Sequence, residues 1–221
     1  MKAFVVTHYG PDGLAAAEVA TPTAGPGDVL VDIRAASINP LDKMIRNGEF
    51  KHLIKYKPPF ALGHDLSGVI TAVGSDVRGF AVGDEIYARP RDGRIGAFAG
   101  TIAIDAGDVA RKPTSLSFEE AAAVPLVALA AWQALADVAG VQPGQKVLVH
   151  AGAGGLGSTV IQVAKHLGAY VATTARTSDI DKVRSLGADE VIDFTTTDFA
   201  DVLIGYDVVL DSLGLASLQK S

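Results

Sequence analysis

The stretch VLVHAGAGGLGSTVIQVAKHLGAYVATTAR, from Val147 to Arg176, constrains the fold more than any other part of the chain. It opens in the short run KVLVH (Lys146 to His150), which is continuously apolar after its first residue rather than alternating. That is the pattern of a strand buried on both faces. Gly152, Gly154 and Gly157 follow in G-x-G-x-x-G spacing, and Ser158 to Leu167 then shows the period of a helix. Val160, Val163, Ala164 and Leu167 fall on one face, with Gln162, Lys165 and His166 turned away. Gly168 closes the helix, where a residue of positive φ is cheapest. Strand, glycine turn and helix in this order predict a dinucleotide site. Gly152 is expected to permit the tight turn, Gly154 to let backbone approach the pyrophosphate, and Gly157 to let helix and strand pack closely. With Gly155 and Leu156 they form the expected cradle, its N–H groups and helix dipole facing the anion.

The second strand is expected at Tyr170 to Thr174. Its end separates the two nicotinamide cofactors. An acid about 20 residues beyond the glycines accepts a ribose 2′-hydroxyl, whereas an arginine accommodates a 2′-phosphate. Arg176 stands there, followed by Thr177 and Ser178, and no carboxylate comes before Asp179. A guanidinium with neighbouring hydroxyls suits a phosphate dianion. The expectation is NADPH over NADH, held by Thr174, Arg176, Thr177 and Ser178 in addition to the glycine turn. A solvated surface role for Arg176 stays open.

Composition excludes several other classes. A net charge of −6 and the lack of aromatic–basic interleaving argue against nucleic acid as a partner. The chain has no cysteine, so disulfides, thiolate metal ligands and a cysteine nucleophile are all ruled out. No apolar run approaches a membrane span, and the amino-terminal run MKAFVV is too short for a signal peptide. A cytoplasmic protein with no membrane partner is expected.

The pattern changes along the chain. Up to about residue 115 it reads as short strands punctuated by Gly, Pro and Asp: KAFVV, DVLVDIRAAS, LSGVITAVG, DEIYAR, GTIAID and DVARKP, as in a small all-β barrel or sandwich. Ser117 and Glu120 then form a capping box before SFEEAAAV, and LVALAAWQALADVAG predicts a helix ending at Gly140. From there strands and helices alternate through KVLVH, YVATT, DIDKVRSLG, EVID and DVVLD, predicting a doubly wound parallel sheet. The fold class is α/β, with domains expected at 1–117 and 118–221.

Several segments in order resemble one family. SINPLDKMIRNG is similar to its Asn-Pro-x-Asp element, PPFALGHDLSGVITAVGSDVRGFAVGDEIYA to the following strand pair, and LSFEEAAAVPLVALAAWQAL to its linker. HAGAGGLGSTVIQVAKHLGA comes close to its nucleotide signature, and LGADEVIDF fits its third strand. The chain resembles the medium-chain dehydrogenase/reductase superfamily, in its zinc-free, zeta-crystallin-like quinone oxidoreductase branch. The resemblance implies a GroES-like β-barrel catalytic domain followed by a Rossmann domain, with NADPH as cofactor.

Zinc-using relatives place Cys, His and Cys or an acid around the metal. Asn39 stands at the first position, and His64 at the second with Asp65 beside it, which does not make the three protein ligands of a catalytic zinc site. No metal is expected, and His64 reads as a hydrogen-bonded interior residue. Without a Lewis acid to activate an alcohol, the favoured acceptors are a quinone or an α,β-unsaturated carbonyl. By resemblance Asn39 is the candidate polar group near nicotinamide or acceptor, with turn initiation before Pro40 as the alternative. Tyr56 is a candidate lid residue, and Asp42 is expected to brace the turn or cap the following segment.

Compared with the branch, Ala130 replaces a threonine, Ala99-Gly100-Thr101 replaces Ala-Glu-Tyr, and Phe194 replaces a tyrosine. The chain stops just beyond a fourth strand, with order 3-2-1-4 expected and the Rossmann domain therefore incomplete. A fragment of a longer enzyme is the favoured expectation. A natural truncation completed by a partner, a non-catalytic NADPH-binding module and a homodimer remain alternatives.

Overall fold

The structure, a computed structural model, describes residues 1–54 and 56–221. The chain divides into two compact units, Met1–Leu126 and Val127–Ser221. In the first, strands β1 (Lys2–Val6), β2 (Leu14–Glu18), β3 (Asp28–Ser37), β4 (Phe60–Ala61), β5 (Asp65–Val73), β6 (Glu85–Ala88), β7 (Thr101–Asp105) and β8 (Val109–Arg111) build two antiparallel sheets. Their orders are β2-β1-β4 and β7-β3-β5-β6-β8. Alternation explains the larger sheet. Val29 and Val31 of β3, Leu66 and Ile70 of β5, Ile86 of β6 and Ile102 and Ile104 of β7 point to one core. Register shifts between Leu30 and Val31 and between Ile33 and Ala35 bend β3 against β5. The segment before β7 closes the barrel wall. Phe4 N–H donates to Phe98 O at 2.8 Å and Gly100 N–H to Lys2 O at 3.1 Å, while Ile33 N–H donates to Gly100 O at 3.0 Å.

Six of these eight strands follow the sequence pattern, and two do not. β2 is LAAAE, short of the β-branched residues that mark a strand, and β4 has two residues behind a Pro-Pro pair. Both are recruited by pairing with β1, from Lys2↔Glu18 to Val6↔Leu14 and from Val5↔Ala61 to Val6↔Phe60.

Between β3 and β4 lies helix α1 (Pro40–Asn47), with Asn39 as N-cap and Pro40 at its first position. Helix α2 (Phe118–Ala122) begins at the Ser117 capping box: Ser117 Oγ accepts from Glu120 N–H at 3.1 Å, and Glu120 Oε2 from Ser117 N–H at 2.8 Å. Helix α3 (Pro125–Trp132) runs on into a π-helical segment, Gln133–Val138, before Gly140 takes a left-handed φ of 61°. The single helix expected here is therefore underwound late in its course, as Ala139 N–H bonds Ala134 O, five residues back.

In the second unit, β9 (Lys146–Val149), β10 (Tyr170–Ala175), β11 (Glu190–Asp193) and β12 (Val208–Leu210) form a parallel sheet in the order β11-β10-β9-β12. That is 3-2-1-4 in chain order, the expected topology. Helices α4 (Gly155–His166), α5 (Ile180–Ser185) and α6 (Phe199–Val202) make the connections. The core packs Val147 and Val149 of β9 and Val171 and Ala175 of β10 on Val160, Ile161 and Ala164 of α4 and Val183 of α5. α4 starts three residues earlier than its periodicity indicated, because the glycines themselves form its first turn.

Candidate functional site

The carboxyl ends of the parallel strands are where a doubly wound sheet takes its ligand. Between β9 and α4 the chain reverses in a turn whose parts are set by contact distances. Ala151, not a glycine, carries the left-handed backbone, at φ 52°. Gly152 is needed for close approach instead: a Cβ there would lie 2.0 Å from Thr173 Oγ1 and 2.9 Å from Ile161 Cδ1. A Cβ on Gly157 would meet Ala151 O at 2.3 Å, so this glycine lets α4 lie against the turn. The tight-turn role expected of Gly152 thus moves to Ala151, and the close packing expected of Gly157 against the strand is made against the turn residues Ala151 and Gly152.

Gly154 is the N-cap, and the first intrahelical bond is Ser158 N–H to Gly154 O at 2.9 Å. The preceding amides of Gly155, Leu156 and Gly157 have no acceptor within the helix. Gly154 and Gly155 are exposed, and a Cβ on Gly155 would meet no atom within 4 Å. The helix start is therefore open, lined by backbone donors and at the positive end of the helix dipole. A pyrophosphate fits it.

Thr174 supports this turn from beneath. It is buried, and its Oγ1 accepts from Ala151 N–H at 3.1 Å while its carbonyl accepts from Gly152 N–H at 3.0 Å. Its hydroxyl braces the cradle rather than lining it. Beside it, His150 is buried with its ring edge on Phe199, 4.5 Å between centroids, and burial lowers its pKa below the ordinary imidazole value.

Arg176, Thr177 and Ser178 follow β10 and are exposed, as a recognition surface requires. Two further residues belong to this edge that sequence spacing missed. Lys182, at the start of α5, donates from Nζ to Ala153 O at 2.9 Å, which brings an ammonium against the glycine turn. Asp193 ends β11 in register with Ala175, and its Oδ2 accepts from Thr177 Oγ1 at 2.5 Å. Thr195 donates to its other oxygen from N–H at 2.9 Å and from Oγ1 at 2.6 Å. These donors, Thr177 foremost, lower the Asp193 pKa. The carboxylate missing from the end of the second strand is thus supplied by the third, where it occupies the Thr177 hydroxyl proton. Only strand register could reveal it.

The first unit holds a second polar cluster. Asn39 is 7% exposed, and its Nδ2 donates to Asp65 Oδ2 at 2.9 Å. Asp42 Oδ2 accepts from Asn39 N–H at 2.7 Å, and its Oδ1 lies 2.6 Å from His64 Nδ1. His64 is fully buried, and its Nε2 finds no partner among the described residues. Asp42 braces the turn and His64 is an interior hydrogen-bonded residue, as expected of both. Tyr56 is placed elsewhere. Its ring stacks on Phe60 at 5.0 Å, its hydroxyl accepts from Gly93 N–H at 3.1 Å, and it packs on the small core of Val6, Ile45 and Leu62. Burial raises the pKa of its phenol. Among the described residues it shares no hydrogen bond with the Asn39 cluster.

These residues do not fit a catalytic zinc. An amide stands beside the imidazole, and no group of three His, Cys, Asp or Glu side chains among the described residues is arranged to hold a metal ion. No described helix is long and apolar enough to cross a membrane.

A barrel of antiparallel strands followed by a parallel sheet with an open helix start defines a nucleotide-dependent dehydrogenase architecture. Residues 25–114 match the alcohol dehydrogenase GroES-like domain, and residues 155–221 match a domain family described as zinc-binding dehydrogenase. The chain is 42% identical over 224 residues to 2-methylene-furan-3-one reductase of Solanum lycopersicum, covering 97% of this chain and 57% of the relative. It is 37% identical over 225 residues to the chloroplastic NADPH-dependent alkenal/one oxidoreductase of Arabidopsis thaliana, covering 97% and 58%. The quinone oxidoreductase of Pseudomonas syringae pv. Tomato superposes with a TM-score of 0.89 at 30% identity, covering 100% of this chain and 69% of that one. The chain belongs to the medium-chain dehydrogenase/reductase superfamily, in its quinone oxidoreductase branch. It spans somewhat over half the length of these two curated relatives.

Proposed function

We propose that this chain carries the framework of an NADPH-dependent, zinc-independent reductase that delivers hydride to a quinone or an α,β-unsaturated carbonyl. Residues 1–117 act as the catalytic domain and 118–221 as the NADP-binding domain. The observation that carries this reading is the open start of α4, whose backbone donors meet an edge bearing Arg176, Ser178 and Lys182. Two cations and a hydroxyl there favour a 2′-phosphate, while Thr177 is held by Asp193. The names of the relatives support the same cofactor and acceptor classes.

NADPH supplies the hydride when bound. The chain's own work is to hold the pyrophosphate on the amides of Gly155, Leu156 and Gly157, and to keep Gly152 packed so that this cradle does not shift. Asn39 is the candidate polar contact to nicotinamide or acceptor. With an acceptor that takes hydride by conjugation, no Lewis acid is required at the oxygen.

The test joins a fluorescence titration of NADPH and NADH with stopped-flow oxidation of NADPH by phenanthrenequinone and by a simple enone. Wild type is expected to bind NADPH more tightly than NADH and to oxidise it with one of these acceptors. Arg176→Glu should weaken NADPH by at least about tenfold, the scale of a lost charge-assisted contact, and leave NADH nearly unchanged. An unaltered preference in that variant sinks the phosphate assignment. Binding without turnover supports the NADPH-binding module instead.

A further inference from the structure

We propose that Asp65, the first residue of β5, and His64 just before it form a clamp that presets Asn39 for hydride transfer, with Asp65 the positioning residue. The inference rests on the reading of Asn39 as the polar group at the nicotinamide or the acceptor.

The clamp grips Asn39 from two sides. His64 Nδ1 lies 2.6 Å from Asp42 Oδ1, and the other oxygen of that carboxylate accepts Asn39 N–H at 2.7 Å. His64 thereby fixes the backbone of Asn39 through Asp42. Asp65 fixes the side chain: its Oδ2 accepts Asn39 Nδ2–H at 2.9 Å and Ser37 Oγ–H at 3.1 Å. Its Oδ1 accepts Leu126 N–H at 2.9 Å. Pro125 opens α3 without an N–H, so Leu126 is that helix's first amide, and the carboxylate stands at its positive end.

Asp65 is fully buried, and its hydrogen bonds come from a hydroxyl, an amide side chain and a backbone N–H rather than from a cation. Burial raises its pKa, and the hydrogen bonds from Asn39, Ser37 and Leu126 oppose that shift. A carboxylate kept in such a place carries a desolvation cost that turn formation alone does not require, since Asp42 and Pro40 already start α1. What Asp65 adds is orientation. An acceptor-only group allows one orientation of the Asn39 amide, with nitrogen toward β5, and removes the flip that would exchange its two ends. A group so held needs no reorganisation when charge develops beside it. Misplacement of about 1 Å at such a group costs up to roughly 100-fold in rate.

The experiment is a double-mutant cycle on the 221-residue chain: wild type, Asn39→Ala, Asp65→Asn and the double variant. The readouts are kcat for quinone reduction and the Kd for NADPH. In Asp65→Asn the side-chain amide cannot accept from both Asn39 and Leu126. Its kcat should fall by about tenfold while NADPH affinity stays within about twofold. The double variant should match Asn39→Ala, since a positioning residue has nothing left to act on. Additive losses overturn the clamp and leave the function standing. An unchanged kcat in Asn39→Ala overturns the role of Asn39 and the clamp with it, as does wild type that binds NADPH without turnover. If Asp65→Asn does not fold, Asp65→Glu keeps the charge but shifts the carboxylate by one methylene. It should show the same split between kcat and Kd, and an unaltered kcat there overturns the proposal.

Discussion

Two neighbouring glycine positions in the turn after β9 separate packing from binding. At Gly152 a methyl group would press on Thr173 Oγ1 at 2.0 Å, inside a buried sheet that cannot yield. Gly152→Ala is expected to lose at least about 1–3 kcal/mol of stability, the usual range for overpacking, as measured by urea denaturation. At Gly155 the same methyl group meets nothing within 4 Å. Gly155→Ala is expected to keep or slightly raise stability, because alanine loses less entropy than glycine on entering a helix. It should nonetheless weaken NADPH by about tenfold, since the added carbon enters the space the phosphates need. If Gly155→Ala bound NADPH as wild type does, the pyrophosphate would not lie over the first turn of α4.

At the level of elements, a helix start marked by a capping box was readable, whereas the start of α4 at Gly155 and the shortest strands were not. The Ser117–Glu120 box depends on a three-residue spacing, and both of its hydrogen bonds form. Ser117→Ala should cost about 1 kcal/mol, detectable as a lower denaturation midpoint at unchanged slope. β2 and β4 could not be read the same way, because an alanine-rich run and a two-residue strand owe their conformation to β1. The π-helical segment after α3 likewise carries no marker in LVALAAWQALADVAG. Its bond from Ala139 to Ala134 belongs to the way the helix ends against Val141, whose N–H reaches Leu135 O at 2.9 Å.

For the whole molecule, acid is the revealing condition. Asp28 takes a two-pronged hydrogen bond from Arg94, at 2.9 and 2.8 Å, and one from Gly25 N–H at 3.1 Å, and the Arg94 bond leads in holding its pKa below the ordinary aspartate value. A lowered pKa means stability that is present above the unfolded-state value and lost as pH falls through the folded-state value. Asp65 works in the opposite sense. Its raised pKa means a contribution that is full below the unfolded-state value and lost as pH rises through the folded-state one. Asp28→Asn is therefore expected to lower stability at neutral pH by roughly 1 kcal/mol, the scale of a partly exposed pair, and to flatten the loss below the aspartate range. Thermal melts across pH 2–7 check both. A variant that lost stability equally at every pH would mean that Arg94 contributes packing and not charge.

The residues that could be read from the chain are those whose meaning is local. Glycine spacing, a capping pair and the switch from strand to helix period involve neighbours a few positions apart, so the βαβ order was legible in the chain, and the strand order 3-2-1-4 followed from the doubly wound topology it implies. The contacts that give the polar clusters their chemistry join distant positions. Asp65 meets Asn39 across 26 positions and Leu126 across 61, and Asp193 reaches Thr177 across 16. Even within the glycine signature, folding reassigned a role: Ala151 takes the left-handed turn, and Gly152 is needed instead because Thr173 and Ile161 leave no room for a side chain there. Local patterns encode which elements form, since backbone geometry repeats with a fixed period. Which side chains then share a buried carboxylate depends on strand register and burial, which come into being only when the sheets pair and exclude water.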